Sequence, residues 1–196
     1  MMFANCSSLT TFDSNLSSLT NGDYMFYDCN KLTTFECDDL SSLTNGFYMF
    51  YNCTALTTFT TDLSSLTDGT QMFYRCSNLK SFTSDLSSLD DGMNMFLYCK
   101  NLITFDSDLN SLTDGTQMFY GCEKLETFSS DLISSKSNKS SLTNGRWMFY
   151  CCSNLTTFDS DLGSLTNGTQ MFYGCSLDGS SVEKILSTIP TYTDGN

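Results

Sequence analysis

The pattern Met-Phe-x-x-Cys occurs eight times along this 196-residue chain, with its methionines at Met2, Met25, Met49, Met72, Met95, Met118, Met148 and Met171. The steps between them are 23, 24, 23, 23, 23, 30 and 23 residues. Self-similarity at a fixed period of this size is the signature of a solenoid, whose coils touch only their neighbours. Seven positions are apolar in nearly every copy; in the third coil they are Met49, Phe50, Cys53, Leu56, Phe59, Leu63 and Leu66. They recur in register because each faces one continuous core. A lone coil buries too few side chains to offset the entropy of ordering its backbone, so stability depends on stacking.

Within each coil the segment Leu-Thr-Thr-Phe-x-Ser, present at Leu102 to Ser107 as Leu-Ile-Thr-Phe-Asp-Ser, is rich in β-branched and aromatic residues and short enough for one strand. These strands are expected to form a parallel sheet along the solenoid. Asn-Gly or Asp-Gly then marks a turn at Gly22, Gly46, Gly69, Gly92, Gly115, Gly145 and Gly168, where glycine is expected to supply a positive φ. The Met-Phe-x-x-Cys stretch that follows is too short for a long helix. It reads as a short helical or 3-10 turn leading back to the strand. The expected fold is thus a mainly β repeat solenoid of about eight coils over residues 1–175.

Residues 176–196 leave the pattern. Ser180-Ser181-Val182-Glu183 reads as a capping box, and Val182, Ile185, Leu186 and Ile189 fall at i, i+3, i+4 and i+7 before Pro190. A short amphipathic helix is expected to lay this stripe on the last coil as a C-terminal cap. At the other end the chain begins inside a repeat. Met2, Phe3, Leu9 and Phe12 are therefore expected to form an apolar edge with an unpaired strand, available for self-association into a homo-oligomer. Two coils are irregular. Glu36-Cys37-Asp38-Asp39 carries one extra residue, expected to form a bulge, and the stretch Ile133 to Lys139 adds seven polar-rich residues, expected to loop out. That loop suits either a tolerated surface insertion or a binding face.

Composition excludes several functions. Hydrophobic content of 40% and aromatic content of 14% imply a packed interior despite the many Ser and Thr residues. With 22 acidic and 9 basic residues the net charge is −13, which repels nucleic acid and anionic lipid. No stretch approaches membrane-spanning length, and the N-terminus shows no basic segment followed by an apolar run, so neither membrane insertion nor an export signal is expected. The sequence has no histidine, no phosphate-cradling glycine loop and no Gly-x-Ser-x-Gly, so an enzyme is not expected and no cofactor is implied.

Eight of the ten cysteines, Cys6, Cys29, Cys53, Cys76, Cys99, Cys122, Cys152 and Cys175, share one repeat position. Parallel inward side chains on stacked coils rarely reach the torsion a disulfide needs, so a ladder of buried free thiols is expected. Cys37 and Cys151 fall outside it and are expected nearer the surface. Cys-x-x-Cys is absent, as is histidine, which argues against a zinc site of familiar spacing.

Three further ladders could carry function. Asn15, Asp39, Asp62, Asp85, Asp108, Asp131 and Asp161 precede the second leucine of their coils. Like charges about 5 Å apart repel by about 1 kcal/mol in a water-like dielectric and about 3 kcal/mol at an effective value near 20, so these carboxylates must be solvated, hydrogen-bonded or bridged by cations. Either each caps the Leu-Ser-Ser-Leu turn through backbone N–H groups, or calcium sits between coils. Thr11, Thr34, Thr58, Ser81, Thr104, Thr127 and Thr157 precede the strand phenylalanine and should line the outer face of the sheet, as a solvated surface or as a hydroxyl array that binds protein or glycan. Tyr27, Tyr51, Tyr74, Tyr120, Tyr150 and Tyr173 pack at the core edge or form an aromatic strip. The Asn-x-Ser/Thr sequons, Asn138 among them, are what a Ser/Thr-rich chain produces by chance.

The core Met-Phe-x-x-Cys-x-x-Leu-x-x-Phe, repeated from residue 2 to 175, resembles the BspA-like, Treponema-type leucine-rich repeats. The resemblance implies a leucine-rich-repeat solenoid. It also implies a bacterial surface or secreted protein concerned with adhesion, or a phage component, binding a protein or a glycan through the repeat face. Here Ser-Asp stands where that family usually has Ile-Pro after the strand.

Overall fold

The computed structural model describes residues 1–37, 39–134 and 139–190. Among them nine short strands and one helix follow in order: β1 (Thr11–Asp13), β2 (Thr34–Glu36), β3 (Thr58–Phe59), β4 (Ser81–Phe82), β5 (Thr104–Phe105), β6 (Thr127–Phe128), β7 (Ile133–Ser134), β8 (Lys139–Ser140), β9 (Thr157–Phe158) and α1 (Gly179–Thr188). The repeat strands pair in parallel with like residues opposite: Phe12 with Phe35, Phe59 with Phe82, Phe82 with Phe105, and Phe128 with Phe158. The expected single sheet is divided into three segments, β1-β2, β3-β4-β5 and β6-β9. Strands of two or three residues carry few ladder bonds, so a small displacement between coils interrupts them. Side-chain stacking continues across both gaps, with Phe35 on Phe59 at 5.6 Å and Phe105 on Phe128 at 6.0 Å.

The unbroken ladder lies elsewhere. Parallel bridges join Asn21, Asn45, Asp68, Asp91, Asp114, Asn144 and Asn167 in succession, at the residue before each turn glycine. Those glycines do not adopt a positive φ, contrary to expectation; among the described glycines only Gly121 and Gly174 do. Their role is clearance. A Cβ on Gly22 or Gly46 would lie 2.6 Å from the sulfur of Met49 or Met72, which the next coil packs against the glycine.

The Met-Phe-x-x-Cys stretch is a run of linked turns rather than a helix or 3-10 turn. In the second coil the N–H groups of Met25, Tyr27, Cys29 and Leu32 donate to the carbonyls three residues back. Those of Tyr24, Phe26 and Asp28 donate instead to Phe47, Met49 and Tyr51 of the next coil, Phe26 to Met49 at 2.9 Å. This alternation needs left-handed residues. Tyr24 has φ 54° and Asp28 φ 59°, and the same two positions are left-handed in later coils, as at Gln71 and Arg75. A left-handed non-glycine residue costs about 1–2 kcal/mol, and inter-coil hydrogen bonds hold each one.

The core is two columns of phenyl rings. Phe3, Phe26, Phe50, Phe73, Phe96, Phe119, Phe149 and Phe172 stack with centroids 5.4–5.5 Å apart. The strand phenylalanines form the second column, its rings meeting the first edge-on, as for Phe105 against Phe119 at 4.8 Å. All seven apolar positions of the third coil are buried.

The irregular segments resolve in different ways. Ile133–Ser134 and Lys139–Ser140 pair antiparallel as a hairpin stem, while residues 135–138 at its tip, including the sequon at Asn138, lie outside the described residues. The expected bulge falls partly on Asp38, also outside them; Leu40 returns to the core beyond it. Helix α1 starts earlier than the Ser180 capping box implied. Asp178 is its N-cap and accepts from the Ser181 N–H at 2.8 Å. Ser181 is buried and turns to the sheet instead, where its hydroxyl accepts from the Phe158 N–H at 2.9 Å and takes the place of a further strand beside β9. Ile185 and Ile189 pack on the core, but Val182 and Leu186 are 42% and 66% exposed, so half of the expected stripe faces away from the last coil. Residues 191–196 lie outside the described residues.

Candidate functional site

The hydroxyl ladder falls where its alternation with the strand phenylalanine puts it. Thr11, Thr58, Thr104 and Thr127 are exposed, Thr34, Ser81 and Thr157 are half-buried, and the pairing places them in one row within each sheet segment. Neighbouring threonines have a structural task. The Thr33 hydroxyl donates to the Thr10 carbonyl at 3.0 Å, and Thr44, Thr67 and Thr143 donate likewise to the coil before. Thus one class of threonine staples coils together, and the ladder class presents its hydroxyls outward.

Of the seven residues before the second leucine, six cap turns; Asp108 does not, and its backbone carbonyl instead accepts from the Ser107 hydroxyl. Asn15, Asp39, Asp62, Asp85, Asp131 and Asp161 each accept from the backbone N–H two residues on, at 2.6–2.8 Å. Bonds from Ser41 hold the Asp39 carboxyl below the usual carboxylate range. A second row of the same kind escaped the sequence reading. Asn21, Asn45, Asp68, Asp91, Asp114, Asn144 and Asn167, on the unbroken ladder, also accept from the N–H two residues on. Three adjacent members are carboxylates. Burial, reinforced by the charges of Asp114 and Asp68, raises the pKa of Asp91. The available signal was the pairing of Asn with Asp at one repeat position, which marks an acceptor rather than a charge.

All ten cysteines are free thiols, and those from Cys29 to Cys152 on the ladder are buried. Cys6 and Cys175 at its ends, and Cys37 and Cys151 outside it, are half-buried. Each ladder thiol from Cys29 to Cys175 donates to the carbonyl of the Met-Phe phenylalanine one coil earlier, at 3.1–3.3 Å. Cysteine is therefore a small apolar residue that also donates. Burial lifts the pKa of Cys53, Cys76, Cys99, Cys122 and Cys152 far above the usual thiol range, and that of Cys175 to about 12.

The tyrosines form a stacked file, half-buried except at Tyr173, which is exposed. Tyr27, Tyr51 and Tyr74 stack at 4.8 and 4.6 Å, and Tyr120, Tyr150 and Tyr173 at 4.7 and 4.8 Å. Between these triplets the file is broken. Leu97 holds the tyrosine position and Tyr98 follows it, in a left-handed conformation with φ 60°. Its ring meets Tyr74 and Tyr120 edge-on, and it crosses Gly121 so closely that a Cβ there would lie 2.8 Å from Tyr98 Cδ1.

At the first coil Phe3, Cys6, Leu9 and Phe12 are only partly buried, and Met1 and Met2 are 80% and 76% exposed. Phe3 stacks on Phe26 on one side. No helix among the described residues is long and apolar enough to cross a membrane.

Parallel coils joined by repeated ladders, with exposed residues arrayed in rows, define a tandem-repeat solenoid. Within that class, the BspA type leucine rich repeat region family matches residues 1–103, 46–134 and 92–193 with six copies, and the chain belongs to that family. Comparison with curated proteins finds no match. Repeats of this family are typically non-enzymatic and generally mediate interactions with proteins or surfaces.

Proposed function

We propose that this protein is a recognition module, with an adhesion role at a bacterial surface or in a phage particle, that binds a protein or glycan through the strand face. The carrying observation is the row of outward hydroxyls at Thr11, Thr34, Thr58, Ser81, Thr104, Thr127 and Thr157, held on a rigid backbone and free of any part in the core. Rigid presentation lowers the entropic cost of binding, because the contact residues are already ordered. The test is capture on immobilised glycans and extracellular proteins. The variant carrying Thr58→Lys, Thr104→Lys and Thr157→Lys places lysines on separate coils of the face; it should melt as the parent does and lose at least about tenfold in capture, or about 1.4 kcal/mol. Capture unchanged by these lysines would remove the strand face as the binding surface.

A second reading rests on the first coil. Phe3 stacks on Phe26 and meets Phe12, and Phe3, Leu9 and Phe12 are only partly buried while Met2 is exposed, an arrangement that suits the edge of another coil. A second copy of the chain placing its own first coil there gives a two-fold dimer. Light scattering over a wide concentration range, with Phe3→Glu as control, tests this. A dimer lost in the variant supports assembly; a monomer throughout removes it.

A further inference from the structure

The break in the tyrosine file coincides with a groove. It holds about 480 Å³ and is lined by Asn52, Thr54, Arg75, Ser77, Tyr98 and Lys100, contributed by three successive coils. That volume lies in the range of small-ligand sites, about 300–1,000 Å³. The coincidence has a sequence origin: the shift of tyrosine from position 97 to 98 unstacks the file beside Arg75 and turns a ring toward the space so opened.

Arg75 and Lys100 are two of only nine basic residues in a chain of net charge −13. Lys100 is held by Glu123 at 2.9 Å in an exposed, solvent-screened pair that is easily exchanged. Arg75 is different. Among the described residues it forms no ion pair; its guanidinium lies 5.4 Å from the Tyr74 ring centre and 5.9 Å from that of Tyr98. Its planar donors therefore remain available to a carboxylate, which they fit two at a time. Around them stand neutral polar groups. Asn52 is oriented by its bond to Asp28 at 2.5 Å and Thr54 by its bond to the Asn30 carbonyl at 3.2 Å, so both are positioned before a ligand arrives.

We propose that this groove binds a carboxylate-bearing sugar, with the carboxylate on Arg75 and Lys100, the hydroxyls on Asn52, Thr54 and Ser77, and the sugar ring against Tyr98. One aromatic ring, one free guanidinium and several hydroxyl and amide groups match such a molecule group for group. An extended acidic peptide fits less well. Strand addition needs unpaired backbone groups, and here the N–H groups of Asn52, Arg75 and Tyr98 are taken by Tyr74, Leu97 and Tyr120 of the adjoining coils. The site is separate from the strand face, so the two readings fail independently: absence of sugar binding here leaves capture by the threonine row untouched, and the reverse holds.

The experiment is an NMR titration of the ¹⁵N-labelled full chain with sodium glucuronate, with glucose, and with a short blocked peptide containing one glutamate. Glucuronate should give saturable shifts at the amides of Asn52, Arg75, Ser77 and Tyr98, with glucose and the peptide each at least about tenfold weaker. Arg75→Gln, a change at an exposed side chain, should keep the parent spectrum elsewhere and weaken glucuronate at least about tenfold; Lys100→Gln should weaken it less, since Glu123 competes for that lysine. Equal binding of glucose would show that charge is not read. Equal binding of the peptide would show that the sugar is not read. Either result, shifts absent from the groove, or an Arg75→Gln protein that binds as the parent does, would overturn the assignment.

Discussion

For single residues the repeat makes chemical roles comparable across coils. Gly46 is retained for clearance, with the Met72 sulfur 2.6 Å and Leu66 Cδ1 3.3 Å from where a Cβ would sit. Met72 is fully buried and has little room to withdraw. Gly46→Ala should therefore cost about 1–3 kcal/mol as an overpacking change, read as a fall in the urea midpoint. A turn that needed a left-handed glycine would give a loss without any repacking of Met72, so the crystal structure of the variant separates the two causes. The regular spacing of these glycines was legible in the sequence but their purpose was not, because a glycine that frees φ and one that admits a neighbour look alike when the neighbour lies a full coil ahead. Asp91 makes the opposite case. Asp68 and Asp114 are its direct ladder partners, and like charges opposite each other in a ladder cost about 0.2–1 kcal/mol. Asp91→Asn keeps the acceptor for the Met93 N–H, as Asn45 does for Phe47, and should stabilise the protein at pH 7 by about that amount. The sign follows from linkage. The pKa of Asp91 is raised on folding, so the stability present below the ordinary value of 3.8 is lost as pH rises through the folded value. The advantage of the Asp91→Asn variant over the parent should vanish at pH 3, a comparison that thermal melts at the two pH values can make.

Taken element by element, the ladders explain what the repeat keeps from coil to coil. A column of cysteines could be read as buried thiols from spacing alone, since eight inward positions cannot all find disulfide geometry. The carbonyl that each thiol meets, that of Phe73 for Cys99 at 3.1 Å, could not be read, because it belongs to a turn run whose alternating bonds have no counterpart in a regular helix or strand. The same ladder makes a prediction about alkali. Burial raises the thiol pKa values of Cys53, Cys76, Cys99, Cys122 and Cys152 well above the ordinary 9.0, and the folded state thus disfavours their ionisation. Stability is fully present below about pH 9, the unfolded value, and is lost as pH rises above it because the unfolded thiols ionise first. The urea midpoint should fall between pH 8 and 10.5, and the Cys99→Ala variant, with one ladder thiol fewer, should show a shallower fall although it begins less stable. A parallel pH dependence in the two proteins would mean the ladder is not its source. Helix α1 shows the same limit on sequence reading. Its period was visible in Ile185 and Ile189, but Ser181 resembled part of a helix cap and instead completes the open strand β9, a partner far away in sequence.

Across the whole molecule the phenyl columns decide how a local loss spreads. Each ring touches rings in the coils before and after it, so the array behaves as a chain of coupled neighbours whose terminal members are held from one side only. Phe105 meets Phe82, Phe96, Phe119 and Phe128, drawn from three coils. Phe105→Ala should cost about 3–5 kcal/mol, the usual range for emptying a buried phenylalanine site. Phe12 meets Phe3, Phe26 and Phe35 but is only partly buried. Phe12→Ala removes less buried surface and should cost less, on the order of half as much. Urea unfolding followed at the single tryptophan, Trp147, discriminates further. If neighbouring coils are strongly coupled, Phe12→Ala and Phe105→Ala both lower the midpoint reported by Trp147, in proportion to their total cost. If coupling is weak, Phe12→Ala frays the first coil and leaves the distant Trp147 reporting the parent midpoint. The continuous ring columns and the unbroken Asn/Asp ladder favour the strongly coupled case, whereas the interruptions of the strand sheet after β2 and after β5 mark where uncoupling would begin. A Trp147 midpoint that responds to Phe105→Ala but not to Phe12→Ala would therefore place the boundary of cooperation at the first of those gaps, between the coil of Phe12 and that of Phe105.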